Sequence, residues 1–343
     1  MTGAGQEIEI LQRELKTDPE NPQLLLKLAN LFERLEKWKE ANTYWERATH
    51  FSRTSAPEIY AQIKKWNQIK DLLKDLSDHN PVIRRSAADT LGCLKDTRCL
   101  YKLVPLLTDL ECQWNISQAI KSIYSPLAGP YLKELIHHKE HRVRSEAIKV
   151  IGHLQLQEYV EELLLCLQDE HFTVIKEAAI VLGNFQIPEA VPPLISLLDQ
   201  SNLSVRHAAI DSLGKLKDSR SIAPLLKLVH KNTPSQIFTL KALSQFGEVV
   251  APQILLLLKH SESEIREQAS QTISQIKTPD MMEMVCQLLN HSEGAVRLTA
   301  VQTLLLMNLP SAIFALQRQM KLEKEPSVIQ ALKNAMIHLL DKG

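Results

Sequence analysis

From Ile83 onward the apolar positions recur in one short frame: an apolar residue, a basic one, then Ala–apolar, then apolar–Gly. It reads IRRSAADTLG from Ile83, VRSEAIKVIG from Val143, VIKEAAIVLG from Val174 and VRHAAIDSLG from Val205. Copies from Ile265 and Val296 keep the frame without the glycine, and weaker ones start at Asn115, Phe238 and Val328. The nine starts lie 27 to 33 residues apart. Within a copy the apolar residues fall at offsets 0, 4, 5 and 8 from the start, which is one face of a helix. Offset 4 is a small residue, such as Ala87, Ala119, Ala147, Ala178, Ala209 or Ala242, and it lets two helices approach closely. Gly92, Gly152, Gly183, Gly214 and Gly247 close their copies, where a left-handed helix cap favours glycine.

A second apolar helix precedes each copy, as in Val191–Asp199 and Ala223–His230, with Pro105, Pro193, Pro224 or Pro252 near its start. A polar turn joins the two helices and carries Asp78, Asp169, Asp199, Ser261 or Ser292. The pattern predicts an all-α chain of stacked helical hairpins. The motif LLxD…VRxxAxxxLG resembles the HEAT-like repeats of the phycobilisome-lyase type. That resemblance implies a right-handed α-solenoid, here of about nine hairpins, and polar Gln330, Lys333 and Asn334 mark the unit from Val328 as a C-terminal capping repeat.

Ahead of this stack, Leu25, Leu28, Ala29, Phe32, Trp38, Ala41, Trp45 and Ala48 follow the spacing of a tetratricopeptide repeat. Glu7–Pro19 resembles the second helix of a truncated preceding copy. We therefore expect a tetratricopeptide-like region at 1–56 and a HEAT-like solenoid at 57–343, docked through the helix Pro57–Leu76.

Composition narrows the function. The 343 residues carry 40 basic and 40 acidic side chains, which disfavours a surface built to hold nucleic acid. Only 10 glycines and 5% aromatics suit helices better than barrels or nucleotide-binding folds. No apolar run is long enough to span a bilayer, and five cysteines without a CxxC pattern suit a reducing, cytoplasmic setting. No phosphate-binding glycine loop, HExxH, GxSxG or EF-hand pattern occurs. The sequence gives no reason to expect a cofactor.

Twelve histidines raise the question of a metal. His137, His138 and His141 cluster, while His79, His171, His260 and His291 occupy equivalent turns, where we expect them to interact with the carbonyls that end the first helix. Deoxyhypusine hydroxylases resemble this chain in repeat type and hold iron through His-Glu pairs, but the sequence contains no His-Glu dipeptide. The arginines at offset 1 (Arg84, Arg144, Arg206, Arg266, Arg297) are expected to pair with turn acids or carbonyls rather than to form an anion ladder. Cysteines Cys93, Cys112, Cys166 and Cys286 lie inside repeat helices and are expected in the core.

The outward positions of the second helices, taken as offsets 2, 3, 6 and 7, hold five basic and five acidic residues and no aromatic one. Toward the C-terminus they become amide- and hydroxyl-rich: Ser244, Gln245, Gln268, Gln271, Thr272, Gln302, Thr303, Gln330 and Asn334. This strip is the candidate surface for a protein or peptide. In the N-terminal region Asn30 stands where tetratricopeptide co-chaperones carry a carboxylate-clamp Asn, but Leu26 replaces the clamp Lys, while Tyr44 and Phe51 are candidates for docking. The expected function is a non-catalytic protein-binding adaptor. The repeat resemblance implies the alternative, an enzyme or enzyme subunit acting on a partner that carries a tetrapyrrole.

Overall fold

In the computed structural model, residues 3–34, 38–230, 235–276 and 279–340 are described, and every regular element among them is helical. The chain divides into two compact units, residues 1–128 and 129–343. The first contains α1 (Gly3–Thr17), α2 (Pro22–Arg34), α3 (Trp38–Ser55), α4 (Pro57–Asp75), α5 (Pro81–Leu94), α6 (Leu100–Leu103) and α7 (Gln113–Ile123). The second runs through α8 (Gly129–Leu135), α9 (His141–His153), α10 (Val160–Cys166), α11 (Phe172–Phe185), α12 (Val191–Ser196), α13 (Leu203–Leu216) and α14 (Ile222–His230). It continues with α15 (Gln236–Ser244), α16 (Ala251–Leu257), α17 (Ser263–Ile276), α18 (Pro279–Leu288), α19 (Gly294–Met307), α20 (Ile313–Met320) and α21 (Pro326–Leu340).

This is an all-α solenoid in which first helices alternate with second helices, the odd-numbered ones from α5 on. Three second helices, α5, α11 and α13, begin where a side chain satisfies free backbone donors. Asn80 accepts from Val82 N, His171 from Thr173 N, and Asn202 from Ser204 and Val205 N. Some first helices are shorter than the sequence pattern implies, as where α12 ends at Ser196 before Asp199. Pro105 opens a tight turn just after α6 instead of starting the helix, because it has no N–H to continue the ladder.

Within the first unit, α4 packs against both α3 and α5. Its Ile59, Ile63, Trp66, Ile69 and Leu73 are buried. Trp66 lies 6.1 Å from Trp45, and the Arg98 guanidinium sits 4.3 Å above the Trp66 ring. These contacts combine a large apolar area with a cation on an aromatic face.

Two repeats sit in a different register from the one the sequence suggested. Left-handed caps occur at Lys95, Gln155, Gln186, Lys217 and Asn308, each at offset 12 of its copy. Tyr124 and Gly247 share that conformation, which puts the starts of their copies at Cys112 and Ser235, three residues before Asn115 and Phe238. The corrected starts are 29 to 32 residues apart. Ala119 and Ala242 therefore occupy offset 7, not offset 4.

The glycines need a second correction. Gly247 alone takes a left-handed φ, at 63°, whereas Gly92, Gly152, Gly183 and Gly214 lie within or at the end of helical turns, three residues before their caps. These four serve close approach. A Cβ on Gly183 would stand 2.5 Å from Ser212 Cβ, and one on Gly152 would stand 2.6 Å from Val181 Cγ2. Each glycine meets the offset-7 residue of the next second helix, so successive second helices touch at nearly backbone distance. Ser212 adds a buried hydrogen bond to the Ala179 carbonyl at 2.8 Å.

Candidate binding surface

Packing between successive second helices decides which side chains face outward. Offset 7 is buried in every second helix after α5, since it lies under the neighbouring helix. That removes two candidates: Thr272 is 5% exposed and Thr303 is 0% exposed. Thr303 donates to Thr299 O at 2.7 Å and lies 2.8 Å from Ser270 Oγ, while Thr272 donates to Gln268 O. Offset 6, by contrast, is never buried. Gln271, Gln302, Gln330 and Asn334 are exposed, and Ser244, Gln245 and Gln268 are half-buried. Gln330 donates to Asn334 at 3.1 Å, and Ser244 donates to the Lys241 carbonyl. With the copy starting at Ser235, Ser244 and Gln245 stand at offsets 9 and 10 rather than 6 and 7, so the outward amides are Gln268, Gln271, Gln302, Gln330 and Asn334.

The first unit holds the other two candidates. Tyr44 stacks on Phe32 with ring centroids 5.4 Å apart, and its hydroxyl accepts from Gln12 at 3.3 Å, so much of the ring serves packing. Asn30 is half-buried and its Oδ1 has no partner among the described residues. The Trp38 side chain lies outside the described residues.

The register shift also reverses the expectation of a surface without aromatics. Trp114 stands at offset 2 of its helix and is 68% exposed; Phe238 stands at offset 3 and is 51% exposed, beside exposed Ile237. Phe238 covers the imidazole of His207 at 4.0 Å, and that burial, with Arg206 alongside, lowers the His207 pKa. The signal that would have found these residues was the even spacing of the stronger copies.

Charges on this face are largely paired on their own helices. Lys149 meets Glu146 at 3.2 Å, Lys176 meets Glu177 at 3.0 Å and Lys215 meets Asp211 at 2.7 Å. The offset-1 arginines point inward to the turns. Arg144 donates to the His138 and Lys139 carbonyls of its own turn and to both oxygens of Asp169 in the next, at 2.8–3.0 Å. Arg84 does the same with Asp78, His79 and Asp109, and Arg297 with His291, Ser292 and Glu323. The Arg297 bond holds Glu323 at a pKa of about 2. For Arg84, Arg144 and Arg297 the acid comes from the following turn, so each of them ties two hairpins together. Arg206 and Arg266 donate instead to carbonyls of their own turn and to a hydroxyl of the next hairpin, Ser235 or Thr299.

The turn histidines have a structural place different from the expected one. Nδ1 of His138, His260 and His291 accepts from the backbone N–H two residues on, so these rings act as acceptors and do not address the first-helix carbonyls. Among the described residues no group of three His, Cys, Asp or Glu is placed to hold a metal ion. Cys112 and Cys166 are buried and Cys286 is half-buried, but Cys93 is exposed, contrary to its expected core position. Burial pushes the Cys99 and Cys166 thiols up to about 12.

The sequence matches the family of HEAT repeats over residues 69–152, 160–243 and 250–337. The chain belongs to the HEAT-repeat family. The solved structures that resemble it include two of low identity. The complex of CpcE and CpcF of phycocyanin lyase from Nostoc sp. PCC7120 is 22% identical, covering 61% of this chain and 94% of that one, with a TM-score of 0.38. An engineered protein is 17% identical, covering 86% and 96%, with a TM-score of 0.42. No curated protein matches the chain.

Proposed function

We propose that this HEAT-repeat protein is a non-catalytic adaptor of the cytoplasm that binds a partner protein or peptide on the outward face of its second helices. Residues 1–56 form a tetratricopeptide-like end and residues 57–343 the HEAT-like body in this reading. The observation that carries it is the composition of that face. Its acids and bases are mostly paired within their helices, while aromatic, aliphatic and amide side chains stay open to contact. Such a face suits a polypeptide better than a phosphate backbone, which needs unpaired cations. No described helix is long and apolar enough to cross a membrane.

The test is affinity capture from native lysate by the full chain and by a variant carrying Gln268→Ala, Gln271→Ala and Gln302→Ala. The expected outcome is a protein retained by the wild type and weakened in the variant. Elution of a coloured tetrapyrrole with no protein partner would overturn the adaptor reading in favour of a lyase role.

A further inference from the structure

The helix α21 leaves open a side that earlier second helices bury. Offset 5 is buried in every second helix from α5 to α19, from Ala88 to Val301. The next second helix covers it: Ser270, at offset 5 of α17, lies 2.8 Å from Thr303 of α19. Offset 9 meets the same neighbour, as Gly183 meets Ser212. In α21 offset 5 is Lys333, which is exposed, and offset 9 is Ile337, 60% exposed. Leu340 follows one turn on at 62% exposed, and half-buried Ile329 stands one turn before Lys333, where α19 carries Arg297. A separate row, Val328, Leu332, Ala335 and Leu339, is buried where α21 packs on α19 and α20. The open stripe is therefore a stacking face, apolar with a lysine at its middle.

The charge around it has one sign. From Gly294 to Leu340 the chain carries Arg297, Arg318, Lys321, Lys324 and Lys333, with Glu323 and Glu325 as the acids. Both acids turn back to Arg297 of α19, at 2.7 and 3.3 Å. Arg318 shares a cleft between α18 and α20 with Glu283 and is set aside. Lys321, Lys324 and Lys333 remain, their ammonium groups without an ion pair among the described residues. The helix α21 contains no carboxylate, and the two charges that follow it in sequence, Asp341 and Lys342, are opposite. A twofold contact of the stripe with itself would set Lys333 against Lys333. The complement is a helix of the opposite charge.

We infer that Ile329, Lys333, Ile337 and Leu340 dock an acidic amphipathic helix of a partner protein, which stacks on α21 as each second helix stacks on the one before. Its apolar row covers Ile337 and Leu340, and its carboxylates accept from Lys333. Lys321 and Lys324, in the turn before α21, add to the attraction. This goes beyond the adaptor reading by adding a second surface, so either can fail alone.

The probe is a display library of helical peptides with a fixed leucine stripe and randomised polar positions, selected on the full-length protein. Fluorescence polarisation then measures the selected peptides. The expected peptides are enriched in Asp and Glu. Ile337→Ser weakens them by about tenfold or more. Lys333→Gln weakens them by about threefold and lowers their salt dependence. Both side chains are exposed, so the variants keep the wild-type circular dichroism and melting temperature. Selected peptides that are neutral or basic, or that bind Ile337→Ser unchanged, overturn the inference. If they respond instead to Gln271→Ala or Gln302→Ala, the adaptor reading stands without it. If no peptide is selected, the inference fails, and lysate capture decides the adaptor reading separately. An Ile337-dependent self-association in analytical ultracentrifugation would make the occupant a second copy and also overturn it.

Discussion

Glycine and the caps three residues after it do separate jobs here, and each can be tested at a single residue. Gly183→Ala gains helix propensity of about 1 kcal/mol. It also places a methyl 2.5 Å from Ser212 Cβ and 2.8 Å from Ser212 Cα. Backbone cannot swing aside as a side-chain tip does, so the clash wins, and denaturant unfolding should show a net loss of about 1–3 kcal/mol. Lys217→Gly acts in the opposite direction. Lys217 sits at φ 51°, where a Cβ is strained, so glycine there should stabilise by about 0.5–1 kcal/mol. Cysteine accessibility gives a third residue-scale test. A thiol reagent at neutral pH should label Cys93 rapidly, while the buried Cys99, Cys112 and Cys166 react only after unfolding. Rapid labelling of Cys166 in the folded protein would contradict the assigned core.

At the scale of the elements, the arginine that joins one hairpin to the next sets an acid limit on stability. The Glu323 side chain is 2% exposed, and its pKa falls from 4.5 to about 2 beside Arg297. Its folded value lies below its unfolded one, so the stabilisation is fully present above pH 4.5 and is lost as pH falls toward about 2. The amount is up to about 3 kcal/mol. Urea midpoints measured across that window should fall less steeply for Glu323→Gln than for the wild type; identical slopes would show that the pair is not the linkage. The elements also show why the pattern of polarity misled at two repeats. At the start of α15 the buried positions include the cap Ser235 and then Gln236, Thr239 and Leu240, with Gln236 donating to the Val229 carbonyl and Thr239 to the Ser235 carbonyl. Three polar core residues that satisfy themselves locally look solvent-facing in sequence, while exposed Ile237 and Phe238 look buried. Cys112 and Ser117 have the same effect in α7. A shift of three residues nearly preserves the helical face, so the helices themselves were legible; which side chains look outward was not.

For the whole molecule, stacked hairpins follow from the recurrence of one amphipathic frame, because a hairpin that cannot bury its apolar face alone must cover it with the next. That logic fixes architecture but leaves function to the faces that stacking does not use. On those faces the amide strip was legible from composition, with Thr272 and Thr303 subtracted by packing and Ser244 and Gln245 by the register, and the aromatic anchors emerged only with the correct register. The most direct test of the account is site-specific photo-crosslinking in native lysate, with a photoreactive residue placed singly at Trp114, Gln271 or Gln302 on second helices. Leu165 and Leu256, both 65% exposed on first helices, serve as comparison sites. The account predicts protein adducts from one or more second-helix sites and none from the first-helix sites. Adducts only from Leu165 or Leu256, or no protein adduct at any site, would contradict it.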